Sequence, residues 1–286
     1  MEMHTAYLQN LLRFLGYVSI LQEPILKLVI ENILQMDLEI QVELEELEEA
    51  NAQESARFDS EGNQSDPESE SDVESVILVN ISEMAMKLDS LMSMVMDYIA
   101  SAQRLFRDSP DELSEFLHPF LNIFESSLLS THRSRYTQFI WFYICSLDHS
   151  FADLFLGILV GKSIDERTST PVRISAVSYL ASYIARAKYL DLNCVNTCLG
   201  ILTTSALKYI DENNSATIEL KAHIVFYTTV QALLYIFCFR WKELLCDADS
   251  NIKHGSFPTT MDGFGRVIAS KLNPLKVHSL EFLRSD

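Results

Sequence analysis

The sequence has few of the residues that make tight turns, with 8 Gly and 7 Pro among 286 residues. A sheet protein of this length needs many hairpins, whose short turns depend on Gly, Asn-Gly and Asp-Gly. The chain is nevertheless 48% apolar, which is enough to bury a sizeable core. Because turn formers are scarce and apolar runs are long, we predict an all-α fold of helices joined by short loops.

Basic charge is also in short supply. The formal net charge is -18, and the segment from Asp37 to Glu74 alone holds 15 acidic residues against one basic residue, Arg57. The rest of the chain is close to neutral, so it has no overall positive field to attract phosphates. We therefore expect no strong direct binding to nucleic acid.

Sequence motifs that carry catalysis are missing as well. The run from Gly157 to Ser163 resembles a phosphate-binding loop, but three residues separate its glycines where the motif requires four. The seven histidines are scattered, and neither a Gly-x-Ser-x-Gly elbow nor a buried carboxylate pair is evident. The pattern favours a binding protein and not an enzyme.

Cysteine usage indicates neither a disulfide framework nor a metal centre. The five cysteines are an odd number in apolar helical contexts, as expected for reduced, buried thiols of an intracellular protein. Cys194 and Cys198 would share a helix face, but two thiolates do not complete a zinc site. We expect neither a metal nor a cofactor.

The most lipid-like stretch runs from Ile224 to Phe239 and has 16 residues. Crossing a bilayer takes roughly 20 apolar residues, so this stretch is too short. It also contains Gln231 and several threonines. We predict a buried core helix here and no contact with a membrane.

Helical periodicity begins near Thr5. Apolar spacing of i, i+3, i+4 and i+7 predicts two amphipathic helices up to about Asp37, with Pro24 in the first turn of the second. The two predicted stripes are Leu8, Leu11, Leu12 and Leu15, then Ile25, Leu28, Val29 and Ile33. We assign residues 1–38 to a helical hairpin.

Residues 39–75 are predicted to be an acidic insertion. A Glu-rich run at 43–49 extends the helix briefly, but residues 50–75 hold almost no large apolar side chains. Such a segment cannot bury enough surface to offset its ordering entropy, so we predict disorder.

Three serines of this insertion are phosphorylation candidates. Ser65, Ser69 and Ser71 each have an acidic residue three positions later, the spacing that acid-directed kinases read. Each phosphate would add about -1.5 to -2 charges. The alternative is a tract that serves only solubility.

From Val76 onward, apolar helical blocks follow one another without a strand pattern. A first stripe runs from Met84 to Ile99, and the later blocks are Pro110–Leu129, Arg133–Leu147, Ser150–Val160, Pro171–Tyr189, Leu192–Ile210, Thr217–Leu245 and Gly263–Leu272. Helix following helix with short breaks is typical of a stacked helical-repeat solenoid. The start of one block, Thr170 to Ala176, resembles a HEAT repeat. We therefore assign residues 76–286 to HEAT-like repeats.

A polar cluster separates two of these blocks, from Ser126 to Arg135. Hydroxyls at a helix junction are most simply helix caps. The alternative is an exposed, basic-flanked partner surface, on which added phosphates would repel an acidic partner.

Several segments together resemble the RNA polymerase I-specific transcription initiation factor family. The most specific is the run Ser178-Tyr179-Leu180-Ala181-Ser182-Tyr183-Ile184-Ala185-Arg186-Ala187-Lys188-Tyr189. The others, in chain order, are Tyr7–Arg13, Ile30–Leu34, Leu128–His132, Gln138–Ser146, Phe237–Leu245 with its Phe-Arg-x-Lys-x-Leu-Leu pattern, and Leu272–Lys276. An acidic insertion in the expected place supports the resemblance.

The resemblance implies a HEAT-repeat factor without enzymatic activity, located in the nucleus and mainly the nucleolus. It would bridge RNA polymerase I, near its stalk, to the promoter-bound selectivity factor at ribosomal RNA genes. Regulatory kinases would tune a Ser/Thr-rich polymerase contact, for which Ser130, Thr131 and Ser134 are the candidates. The family extends beyond this chain on both sides, so we expect the repeats to be truncated C-terminally. A generic HEAT-like adaptor, of the nuclear transport or phosphatase scaffold type, is the alternative.

Overall fold

A computed structural model describes residues 2–58, 68–131, 134–213, 221–245 and 259–277. The chain divides into two compact units, residues 1–151 and 152–286. Within the described ranges the regular elements are helices and helical turns, and no strand is present. The prediction of an all-α fold built from stacked helices is confirmed.

The first unit is built on two long helices. Its elements are α1 (Glu2–Leu15), a 3-10 turn (Ser19–Leu21), α2 (Gln22–Phe58), α3 (Glu68–Leu105), α4 (Pro110–Ile123), a π-helical turn (Phe124–Leu128) and α5 (Phe139–Leu147). Helix α2 packs along α3, α1 lies against both, α4 contacts α2, and α5 contacts α3. The predicted hairpin of α1 and α2 is thus one part of a larger helical layer.

The buried stripe of α2 differs from the predicted one. Leu26, Val29, Ile30 and Ile33 are almost fully buried, whereas Leu28 is 42% exposed. Both sets fit helical spacing, and the packing of α2 on its neighbours selects between them. The stripe predicted for α3 is confirmed from Leu88 onward, because Leu88, Leu91, Met92, Val95 and Ile99 are all buried, whereas Met84 at its start is only half-buried.

The predicted insertion contains more helix than expected. Helix α2 continues to Phe58 and α3 begins at Glu68. Residues 59–67 lie outside the described residues. Glu, Leu, Ala and Gln are strong helix formers, so a helix already nucleated by packing can continue through them despite their charge. The division into residues 1–38, 39–75 and 76–286 stays a prediction.

The second unit is centred on the packing of α7 against α9. Helix α6 (His149–Ile164) leads into it, and the later elements are α7 (Thr170–Arg186), α8 (Leu192–Glu212), a 3-10 turn (Lys221–His223), α9 (Ile224–Leu245), a 3-10 turn (Thr259–Met261), α10 (Phe264–Ile268) and a 3-10 turn (Pro274–Val277). Helix α8 also packs on α9, and α10 packs on α8. Gly263 has a φ of +82°, and a Cβ there would come within 3.0 Å of Leu207. A glycine is therefore required where the chain turns into α10.

Helix α9 is both long and apolar. The stretch Lys221–Leu245 is long and apolar enough to cross a membrane by length and composition, with a mean hydropathy of 1.6, and half of it is buried within the fold. The buried side chains include Phe226, Val230, Leu233 and Ile236, and the helix packs on α7 and α8. This packing agrees with the predicted core helix.

Candidate partner-binding surface

The hydroxyl cluster predicted from the sequence lies where α4 ends. The Leu129 amide donates to the Phe124 carbonyl at 3.0 Å, five residues back, which defines the π-helical turn. Such turns are uncommon and often mark functional sites. Ser127 is buried, and its Oγ donates to Oε1 of Glu31 on α2 at 3.1 Å. Ser126 is exposed.

Ser130 and Thr131 follow this turn and act as caps. The Ser130 Oγ lies 3.0 Å from the carbonyl oxygens of both Ser126 and Ser127, and the Thr131 Oγ1 lies 2.7 Å from that of Ser127. These bonds satisfy carbonyls that the end of a helix leaves without amide donors. Ser130 is exposed and Thr131 is half-buried. Both residues can therefore cap the helix and still lie on an accessible surface.

Ser134 does not belong to the exposed cluster that the sequence suggested. Its side chain is buried, and its Oγ donates to Oδ2 of Asp37 at 2.7 Å. Asp37 lies on α2, far away along the chain, so no local pattern reveals this contact. In this conformation the Ser134 hydroxyl is not presented to a partner.

Asp37 organises the whole segment 134–137, which we call the junction segment. The fully buried carboxylate also accepts bonds from three amides, those of Arg135, Tyr136 and Thr137, at 3.3, 2.9 and 2.9 Å. A fifth donor is Thr137 Oγ1, at 2.8 Å. Amide and hydroxyl donors to a carboxylate form strong, charge-assisted hydrogen bonds. The negative charge also lies near the start of α5, where the helix dipole favours an anion.

The sequence carries a signal for Asp37. Asp37 is four residues after Ile33 and three after Leu34, so it lies on the buried stripe of α2. A lone carboxylate at a core position of an apolar stripe indicates a buried, hydrogen-bonded charge. What binds it could not be read from the sequence.

Two of the three phosphorylation candidates lie within the described residues. Ser65 lies outside the described residues. Ser69 and Ser71 lie in the first turns of α3. The structure does not test their modification, which stays a prediction.

The run from Gly157 to Ser163 lies inside helix α6, where the backbone amides bond along the helix and cannot form a phosphate-binding loop. Among the described residues, no group of three His, Cys, Asp or Glu side chains is placed to hold a metal ion. The predicted pair Cys194 and Cys198 differs in exposure, since Cys198 is buried and Cys194 is partly exposed. Burial raises the pKa of the Cys198 thiol to about 12, which leaves it protonated and inert at neutral pH.

The other thiols are only partly as predicted. Cys145 is buried, as expected, but Cys238 is exposed on α9. Cys246 lies outside the described residues.

Clefts occur in both units. One of about 520 Å³ in the second unit is lined by residues of α7 and α8, including Arg173 and Lys208. Lys208 forms ion pairs with Glu166 and Glu212 at 3.3 and 3.7 Å. These exposed pairs hold the lysine charge near neutralising carboxylates.

Three of the segments that carry the family resemblance lie in the second unit. Residues 178–186 belong to α7, where Tyr183 and Ile184 are fully buried. Arg240, from the Phe-Arg-x-Lys-x-Leu-Leu pattern on α9, is also buried, and its Nη1 lies 3.1 Å from the carbonyl oxygens of Ile184 and Ala187. It thereby supplies donors to the C-terminal end of α7, where carbonyls lack intrahelical partners. Glu243 accepts from the Arg240 Nε at 2.7 Å.

The segment Leu272–Lys276 packs against α9 and α10. The hydroxyl of Tyr227 on α9 donates to the Leu272 carbonyl at 3.0 Å. Asn273 has a φ of +46°, a left-handed conformation that Asn tolerates better than most residues. The motif therefore combines a left-handed turn at Asn273 with a hydrogen bond that attaches Leu272 to α9.

Comparison with known proteins gives a consistent result. The profile of the family described as RNA polymerase I specific transcription initiation factor RRN3 matches residues 1–281. A mouse factor of that description is 32% identical over 95% of this chain and 43% of its own length. A fission yeast factor is 30% identical over 94% of this chain and 48% of its own.

A solved structure shows the same fold. The crystal structure of an RNA polymerase I transcription initiation factor Rrn3 aligns with a TM-score of 0.75 and 27% identity, covering 98% of this chain and 52% of that one. The chain therefore spans about half the length of the relatives it matches. The chain belongs to the family of RNA polymerase I-specific transcription initiation factors.

Proposed function

We propose that this chain acts in transcription initiation by RNA polymerase I, through protein–protein contacts and without catalysis. The match of the family profile over residues 1–281 carries the proposal. It also favours a polymerase I factor over the generic helical adaptor. The chain would work in the nucleus, at ribosomal RNA genes in the nucleolus, where it bridges the polymerase stalk to the promoter selectivity factor.

The turn that bears Ser130 and Thr131 is the proposed polymerase contact. Three observations support it: Ser130 is exposed, Thr131 is half-buried, and the turn follows an irregular π-helical end. We leave Ser134 out of the proposed surface, since its side chain is buried against Asp37. Regulatory kinases would act by adding charge to this turn, where a phosphate would repel an acidic partner.

The proposal is tested with purified RNA polymerase I and the immobilised chain. The double variant S130D/T131E is expected to lower the affinity about tenfold or more, because like charges placed opposite each other across an interface cost several kcal/mol. Helicity measured by circular dichroism should be retained. Ser134 stays unchanged in this variant, since its hydroxyl is buried against Asp37 and does not lie on the proposed surface.

A matched control is available in S101D/T197E. Ser101 and Thr197 are exposed, and each hydroxyl donates to the carbonyl four residues back, as Ser130 and Thr131 do. This control should bind like the unmodified chain. Equal binding by both double variants would place the contact elsewhere, and no polymerase capture by the unmodified chain would contradict the proposed function itself.

A further inference from the structure

We propose that Asp37 is a positioning residue that holds the junction segment, residues 134–137, and that a negative charge on Ser134 releases this segment without unfolding the first unit. The link to polymerase rests on the proposed function, because the contact candidates Ser130 and Thr131 lie directly before the junction segment. The hold itself depends on geometry alone.

The junction segment donates five hydrogen bonds to α2, and all five are accepted by the carboxylate of Asp37. Four bonds go to Oδ2 and one, from the Arg135 amide, goes to Oδ1. The donors come from four consecutive residues, so a single side chain fixes the backbone of residues 134–137 before α5. Removing this acceptor leaves the buried Thr137 amide and the partly buried amides of Arg135 and Tyr136 without these partners, which is costly enough to open the segment.

The neighbourhood of Asp37 makes opening easier than in the helical core. The Nε2 of Gln41, one turn further along α2, is buried and has no hydrogen-bond partner among the described residues. The same holds for the Oε1 of Gln138, the residue that follows the junction segment. Buried polar groups without partners cost free energy. The packing of the junction segment on α2 is therefore less stable than the packing of an apolar segment would be.

Ser134 is the sensitive member of this network because its hydroxyl is a donor to a buried anion. Its Oγ lies 2.7 Å from Asp37 Oδ2. A phosphoryl group or an aspartate at this position has no proton to donate at neutral pH and brings a like charge against the carboxylate. An alanine removes one bond of the five and adds no charge.

Amide hydrogen exchange of the intact chain tests the inference. In D37N and in S134D, the amides of Tyr136 and Thr137 are expected to exchange about tenfold faster or more, since hydrogen bonds to a charged group contribute at least that factor. In S134A the change should stay within about threefold. The matched control is E39Q, which removes a charge from an exposed position on the same helix.

The pattern of exchange decides the outcome. Faster exchange confined to residues 134–138, with protection of α2 and α3 retained, supports the inference. Unchanged exchange in D37N overturns it. Faster exchange throughout α2 and α3 also overturns it, because Asp37 would then stabilise the unit as a whole.

Capture of purified RNA polymerase I by the same variants is measured separately. Loss of capture in D37N, but not in E39Q, supports the positioning role toward the polymerase. Local opening with full capture overturns that link, while the hold by Asp37 stands. Failure of the proposed contact surface is distinguishable, because it would show as normal capture by S130D/T131E.

Discussion

Two charged residues occupy core positions, and each organises the end of a neighbouring helix. Arg240 continues the buried stripe of α9, four residues after Ile236. Asp37 continues that of α2. Arg240 donates to the carbonyls at the end of α7, and Asp37 accepts from the amides before α5. Both place charge where the helix dipole favours it.

Replacing Arg240 by methionine should destabilise the second unit. R240M keeps the volume of the apolar stem but leaves the buried carbonyls of Ile184 and Ala187 without these donors, each at a cost of about 1–3 kcal/mol. We expect the free energy of unfolding to fall by about 2 kcal/mol or more. Urea unfolding followed by circular dichroism measures the change.

Lys242 provides the comparison on the same helix. It is exposed, with its Nζ 5.7 Å from the ring centroid of Trp241, so K242M should cost less than about 1 kcal/mol. A similar loss of unfolding free energy in R240M and K242M would show that the buried hydrogen bonds of Arg240 do not stabilise the second unit.

At the scale of the element, the packing of α9 shows why its high hydropathy indicates a core helix. Length and composition alone allow a membrane span, but one face of the helix packs on α7 and α8. Leu233 on that face is fully buried, whereas Phe239 is 56% exposed. In a core helix, only the side chains on the buried face contribute to packing. In a helix surrounded by lipid, apolar side chains on every face are buried.

Truncating the two faces of α9 should have unequal effects. L233A removes a packed side chain, which costs about 2–5 kcal/mol in a core, whereas F239A at an exposed position should cost about 0.5 kcal/mol. Urea unfolding of the chain in detergent-free buffer gives both values. A requirement for detergent, or equal losses, would contradict the core assignment.

At the scale of the whole molecule, each compact unit holds a side chain whose proton is retained by burial. Burial raises the pKa of Tyr98, in the first unit, from 10.0 to about 12. It raises the pKa of Cys198, in the second unit, from 9.0 to about 12. The folded chain therefore keeps these protons at pH values where the unfolded chain has released them.

We expect the stability that these groups contribute to be fully present below about pH 9. It should fall as the pH rises toward 12, because the unfolded state then binds fewer protons than the native state. Guanidinium unfolding between pH 8 and 11 measures the slope. Y98F should reduce the loss, whereas Y17F, at an 87% exposed residue, should leave it unchanged. An unaltered slope in Y98F would contradict the prediction.

The sequence by itself determined the helical class, the stripe of α3, the core nature of α9 and the family. These depend on local periodicity and on residues read in chain order, so they need no knowledge of which helices meet. The sequence also located the hydroxyl cluster around Ser130 and Thr131. It grouped Ser134 with that cluster, whereas the structure buries the Ser134 side chain against Asp37.

The tertiary structure decided which residues meet. Local spacing allowed Leu28 or Leu26 on the buried stripe of α2, and packing selected Leu26. The contacts of Asp37 with Ser134 and of Arg240 with Ile184 join distant parts of the chain. A buried charge on an apolar stripe can be recognised from sequence, but its partners depend on how the helices pack, and helical periodicity carries no information about that.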